Sequence, residues 1–299
     1  MSGEGNQALA ISPVTFLVEE RFGVGESPVW EQEHGRLWWC DIEAGAIHAL
    51  TLADGSRQRL QFDEPVASLG LAGPGQLVVA FRRTVELVDM ADGARRLVAS
   101  VEHAKPAMRF NDGKVGPDGA FYVGSMDNGG VGSPAGCLYR VTAAGAVSTL
   151  VTGLVISNGL AWNGAATRLY HSDSRGEMWV DAWDFDRTSG AIANRRRLRH
   201  QDEANGRADG AACDIEGYYW SAGPSRSRIN RFAPDGTLTG WVDLPLAHPT
   251  MPCFGGADMR TVFVTSLNSG AAGEGRDGVV QFRVAAPGVK VGRFGVPQE

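Results

Sequence analysis

RFNDGKVGPDGAFYVGSM, residues 109–126, contains the unit from which the chain is built. Arg109 to Lys114 is densely polar and opens with a cation. Gly116-Pro117-Asp118-Gly119 is a turn, since Pro pre-sets φ and Gly accepts a positive one. Ala120 to Ser125 is bulky and alternating, the pattern of a strand. A polar loop that feeds a strand through a tight turn couples chemistry to rigidity. On its own Asn111-Asp112-Gly113 is an ordinary turn; its weight comes from the company it keeps along the chain.

That company is a repeat of Gly turn, bulky strand, second strand and Gly turn. Leu37–Asp41 with Ala46–Leu50 is the first copy, and Gln76–Phe81 with Val85–Val88 the second. Phe121–Gly124 with Gly136–Val141 is the third, and Arg168–Asp173 with Met178–Phe185 the fourth. Tyr218–Ala222 with Arg228–Phe232 is the fifth, and Thr261–Thr265 with Gly278–Arg283 the sixth. Their spacing of roughly 40–50 residues is that of four-stranded propeller blades. The expected fold is all-β, a six-bladed β-propeller in one domain over residues 1–299, with 1–12 a flexible N-terminal extension. One sheet cannot bury both faces alone, so blades pack in a ring, and closure protects their edges. Pro13–Val18 is placed to complete the last blade.

Composition narrows the function classes. The 299 residues are 43% hydrophobic and 21% charged, enough for a sizeable core. The net charge is −6, and Arg195-Arg196-Arg197 is an isolated basic run, which argues against nucleic acid. No apolar run nears the roughly 20 residues of a membrane helix. No secretory leader is visible, so a cytoplasmic protein is expected, as a monomer or weak homodimer. Cys40, Cys137, Cys213 and Cys253 lie far apart and form no CxxC pair, so they read as buried thiols.

In a propeller the loops at one mouth converge on the central channel. Four segments carry a short polar residue just ahead of an inner strand: Gly25–Trp30, Arg109–Lys114, Ser157–Trp162 and Ala208–Ala211. This places Glu26, Asn111, Asn158 and Asp209 near one axis. Two carboxylates and two amides in a channel are costly unless something satisfies them, and a divalent cation does so. An all-oxygen set suits Ca²⁺, Mg²⁺ or Mn²⁺ more than Zn²⁺. None of the six histidines falls in these segments; Asp173 is a further inward-facing candidate, although Asp-Ser at a strand end also fits turn chemistry.

With these motifs the chain resembles the SMP-30/gluconolactonase group, which includes regucalcin and bacterial sugar lactonases. The resemblance is carried by GESPVW at 25–30, residues 109–126, and SNGLAWNGAATRLYHSDS at 157–174. ADGAACDIEGYYWSA at 208–222 and PCFGGADMRTVFVTS at 252–266 complete the set in the family's order. It implies a six-bladed propeller with one catalytic divalent metal: Ca²⁺ first, with Mg²⁺, Mn²⁺, Zn²⁺ or Fe²⁺ as alternatives. It implies metal ligands at Glu26, Asn158 and Asp209, and substrate contacts from Arg109 and Asn111. Many members carry a carboxylate where Asn128 stands here, so Asn128 is taken as a substrate-side residue and the sugar preference is left open.

The expected activity is hydrolysis of a sugar lactone to its aldonic acid, with Asp209 as general base. No GxSxG elbow supports a covalent serine route. A phosphotriesterase-like hydrolase and a non-catalytic calcium-binding propeller are the competing readings.

Overall fold

A computed structural model describes residues 9, 11–129, 132–268 and 276–298. The described residues form 24 strands and a single 3-10 turn at Pro224–Arg226. The strands make six four-stranded antiparallel sheets. Five of the sheets use four consecutive strands, whereas the sixth borrows Thr15–Val18 from the N-terminus. That strand pairs with Val279–Arg283, so both ends of the chain close one blade, as expected for Pro13–Val18.

The six innermost strands are Gly25–Glu31, Ser68–Leu71, Met108–Val115, Ser157–Trp162, Ala211–Cys213 and Pro249–Gly255. Each touches its counterparts in the neighbouring blades, and the last touches the first, so the ring is closed. The propeller fold is thereby established in the six blades. Six separate apolar layers lie between blades, one per interface. Trp38, Leu77 and Phe81 fill the layer between blades 1 and 2. Trp39, Phe22 and Phe263 fill the one that closes the ring between blades 6 and 1. Burying a large side chain in such a layer is worth about 1.5–3 kcal/mol, and each blade gains on both faces.

The repeat unit expected from the sequence is shifted by one strand. The bulky runs are the second and third strands of each blade; the polar segments ahead of them are themselves the innermost strands. Arg109–Lys114, expected as a loop, belongs to the strand Met108–Val115. Its polar residues survive burial because they pair across the channel rather than with water.

Part of the N-terminal extension expected over residues 1–12 lies outside the described residues. Of the rest, Leu9 donates its amide to Trp241 O and Ser12 to Arg283 O, which fastens them to the outer edges of blades 5 and 6. The C-terminal tail crosses the ring at the end where inner strands finish. Val289 N donates to Cys213 O, Phe294 N to Leu71 O and Gln298 N to Pro117 O. That mouth is covered, and the other end, where inner strands begin, holds the cleft described below. No helix among the described residues is long and apolar enough to cross a membrane. All four cysteines are free; Cys137 is half-buried and the others are buried.

Candidate functional site

Four inner strands carry a β-bulge close to their start, one of them Pro249–Gly255 between Pro249 and Pro252, and the other three aim cleft residues. Pairing slips between Glu26 and Val29, between Phe110 and Gly113, and between Asn158 and Ala161. A bulge bends the strand and re-aims the side chain beside it, so the slips point Glu26, Asn111 and Asn158 into the channel mouth. In blade 1 the bulge is held by Ser27, whose φ is +52°. Ser27 Oγ donates to Leu69 O at 3.2 Å and accepts from Leu69 N at 2.9 Å, clamping it to blade 2. In blade 4 the bulge needs Gly159 at φ +70°, where a Cβ would run into Tyr219 Oη and Ser172 Oγ. Asp209 comes from the approach to blade 5, held by its amide hydrogen bond to Ala222 O at 3.0 Å.

The structure brings five of the expected residues together. Glu26, Arg109, Asn111, Asn158 and Asp209 line one cleft of about 170 Å³ at the open mouth. A directed chain of hydrogen bonds runs through four of them. Arg109 Nη1 donates to Asn111 Oδ1 at 2.9 Å. Asn111 Nδ2 donates to Asn158 Oδ1 at 2.8 Å and to Ser157 O at 3.1 Å. Asn158 Nδ2 donates to Asp209 Oδ1 and to Ser174 Oγ, both at 2.7 Å. The chain starts on a group that only donates and ends on one that only accepts when ionised, which fixes both amides in between.

The electrostatics are those of a crowded anionic site. Burial holds the Glu26 carboxyl well above its ordinary range, and Asp209 and Asp112 add repulsion. Burial likewise raises Asp209 to about 7, opposed by Arg207 and reinforced by Asp112. Asp209 is half-buried and lines the cleft. Buried carboxylates that repel one another are what an added cation relieves. The donor set fits a hard divalent ion: two carboxylates and an amide oxygen with a second lone pair to offer, and no sulfur or imidazole in the cleft lining.

Other residues were not expected. Ser174 accepts from Asn158 and passes the bond on to Ala208 O at 2.5 Å. Asp112 and Lys114 lie buried beneath the cleft, with Lys114 Nζ 2.5 Å from Ala211 O. Asp112 Oδ1 has no partner among the described residues. The quoted polar run contains both, but nothing in a strand's sequence reveals which side faces a channel.

Asn128 is not brought to the cleft. It is exposed beyond the strand Phe121–Asp127, two residues past Met126, which bridges Ile156 at the cleft wall. Asp173 does not point inward: it accepts from the amides of Val155 and Ile156, both at 2.8 Å, and steadies that loop. No histidine lines the cleft; His171 Nε2 lies 2.8 Å from Ser157 Oγ, behind it.

Comparison with known proteins places these features in context. Residues 24–268 match the family model described as SMP-30/Gluconolactonase/LRE-like region. A 6-deoxy-6-sulfogluconolactonase of Pseudomonas putida is 35% identical over 263 residues, covering 86% of this chain and 88% of its own. A pentonolactonase of Haloferax volcanii is 31% identical over 265 residues, covering 88% and 89%. Among solved structures, a calcium-binding protein, regucalcin, from Agrobacterium tumefaciens superposes with a TM-score of 0.87. It is 24% identical and covers 95% of this chain and 97% of that one.

Proposed function

The chain belongs to the SMP-30/gluconolactonase/LRE-like family, and from that premise we propose that it is a hydrolase that opens a sugar lactone to the aldonic acid. The observation that carries the reading is the convergence of Glu26, Asn158 and Asp209 with Arg109 and Asn111 in one cleft. The relatives named as lactonases support it.

Glu26, Asn158 Oδ1 and Asp209 are the residues that would hold a divalent ion, Ca²⁺ being the first candidate. When bound, such an ion supplies electrophilic assistance to an ester carbonyl and favours ionised carboxylates around it. Asp209 accepts the proton of the attacking water, a role worth roughly 10²–10⁴-fold. Asn158 keeps one Asp209 oxygen engaged and leaves the other to the cleft. Arg109 directs Nη1 to Asn111 Oδ1 and Phe110 O, and its remaining donors have no partner among the described residues. Those donors orient the ring hydroxyls of the substrate. Burial lowers the Arg109 pKa, but its ordinary value is far enough above neutrality for the charge to persist.

The test is initial rates on a panel of five- and six-membered sugar lactones, with paraoxon alongside, in the presence of divalent ions. Lactone opening well above the buffer rate is expected. Turnover of paraoxon alone would point to a phosphotriesterase instead. Cation binding without turnover of any lactone would leave a binding protein.

A further inference from the structure

The cleft has more positive charge than its chemistry uses. The whole chain carries −6, yet Arg109, Arg175 and Arg207 line a cleft whose carboxylates are Glu26 and Asp209. Arg109 is tied into the hydrogen-bond chain. Arg175 and Arg207 are not, and they come from different blades. Arg175 follows Ser174 in blade 4, and Arg207 precedes Asp209 by two residues on the approach to blade 5.

Both reach for one atom. Arg207 Nη1 lies 3.4 Å from Glu203 Oε1, and Arg175 Nη1 lies 3.8 Å from the same oxygen. These separations exceed the roughly 2.7–2.9 Å of a well-made charge-assisted bond, so both guanidiniums keep donors in reserve. The side chains of Arg175, Glu203 and Arg207 are 51%, 49% and 22% exposed. Ion pairs this open and this long add little to stability. Holding the fold together therefore does not account for two guanidiniums from two blades meeting over one oxygen at the mouth.

We propose that Arg175 and Arg207 form a subsite for an oxyanion, a phosphate or sulfonate-type group, at the end of the substrate remote from the ring ester. Glu203 Oε1 marks where an oxygen of that group sits. The planar fork of Arg matches such groups through paired hydrogen bonds. The proposal rests on the lactonase reading and narrows it, making the substrate the lactone of an acidic sugar rather than of a neutral one.

Two measurements on the full chain with divalent ion test it. The first compares kcat/KM for gluconolactone and its 6-phosphate. The second is calorimetric binding of glucitol, its 6-phosphate and its 6-sulfate, none of which can be hydrolysed as a lactone. We expect the charged member to be preferred roughly 10–100-fold in both, the worth of one or two hydrogen bonds to a charged group. Arg175→Gln and Arg207→Gln should each pull that ratio towards one. Glu203→Gln should raise it, because it removes the competing carboxylate, a gain that misfolding cannot mimic. Equal opening of the two lactones with equal binding of the alcohols would overturn the subsite and leave the lactonase reading intact. Tighter binding of the charged alcohols with no lactone opened would support the subsite and overturn the lactonase reading.

Discussion

Asn158 donates from Nδ2 to Asp209 Oδ1 at 2.7 Å, joining two residues 51 positions apart in sequence at the mouth of the ring. The bond is the last link of a chain that begins on Arg109. It holds one oxygen of Asp209 and leaves the carboxylate's other oxygen for a cation or a water.

Asp209→Asn keeps the size of the side chain and still offers Asn158 an oxygen, so the fold should persist. Lactone turnover should fall roughly 10²–10⁴-fold, the usual worth of a positioned base. Circular dichroism and steady-state rates on the same preparation check both halves. A variant with near-normal kcat would remove Asp209 from that role.

Gly159→Ala should damage the site through the backbone. The residue sits at φ +70°, and an added Cβ would meet Tyr219 Oη and Ser172 Oγ. A left-handed conformation costs about 1–2 kcal/mol for a residue with a Cβ, and overpacking typically adds about 1–3. Denaturant unfolding should show a loss of roughly 2–5 kcal/mol together with weaker cation binding, since the bulge that aims Asn158 is disturbed. An unchanged midpoint would show that this bulge tolerates a side chain.

His171 should make the protein acid-sensitive. It is fully buried, and burial, with help from Arg195, pushes its pKa down to about 3. In the unfolded chain a histidine titrates near 6.5. Above that pH neither state carries the proton. Below it the unfolded chain binds a proton that the folded one refuses, so stability falls as pH drops from about 6.5 towards 3. The slope approaches about 1.4 kcal/mol per pH unit, which amounts to about 2 kcal/mol between pH 7.5 and 5. Urea unfolding of the parent and of His171→Gln at pH 7.5 and 5 isolates the effect, because other groups cancel in the comparison. Equal pH dependence in the two proteins would contradict it. His171 also holds Ser157, whose carbonyl receives Asn111 Nδ2, so acid should loosen the cleft before the whole fold.

The blades were legible because their second and third strands are bulky and are introduced by Gly turns such as Asp118-Gly119. The innermost strands were not, for a physical reason. Met108–Val115 and Ser157–Trp162 are buried on every side and broken by bulges, so they show neither alternation nor a plain apolar run. Their polar residues read as loop. Glu26, Asn158 and Asp209 could still be picked out, because each stands at a comparable place in its repeat, beside a small residue. Asn128, expected on the substrate side from the family's carboxylate at that place, stands exposed past Asp127 and outside the cleft lining, because a sequence position does not fix where the chain turns after a strand. Arg175, Arg207 and Ser174 were passed over since their meeting depends on how blades 4 and 5 face one another, which no local pattern encodes.

Metal removal puts the cation site of Glu26, Asn158 and Asp209 to its most direct test. The protein is stripped with a chelator, and lactone opening is followed before and after Ca²⁺, Mg²⁺ or Mn²⁺ is restored, with binding stoichiometry measured in parallel. Activity should fall to the buffer rate, return on re-addition, and track one bound ion per chain, with Asn158→Ala binding more weakly. Full-rate lactone opening by the exhaustively chelated protein would contradict the assignment.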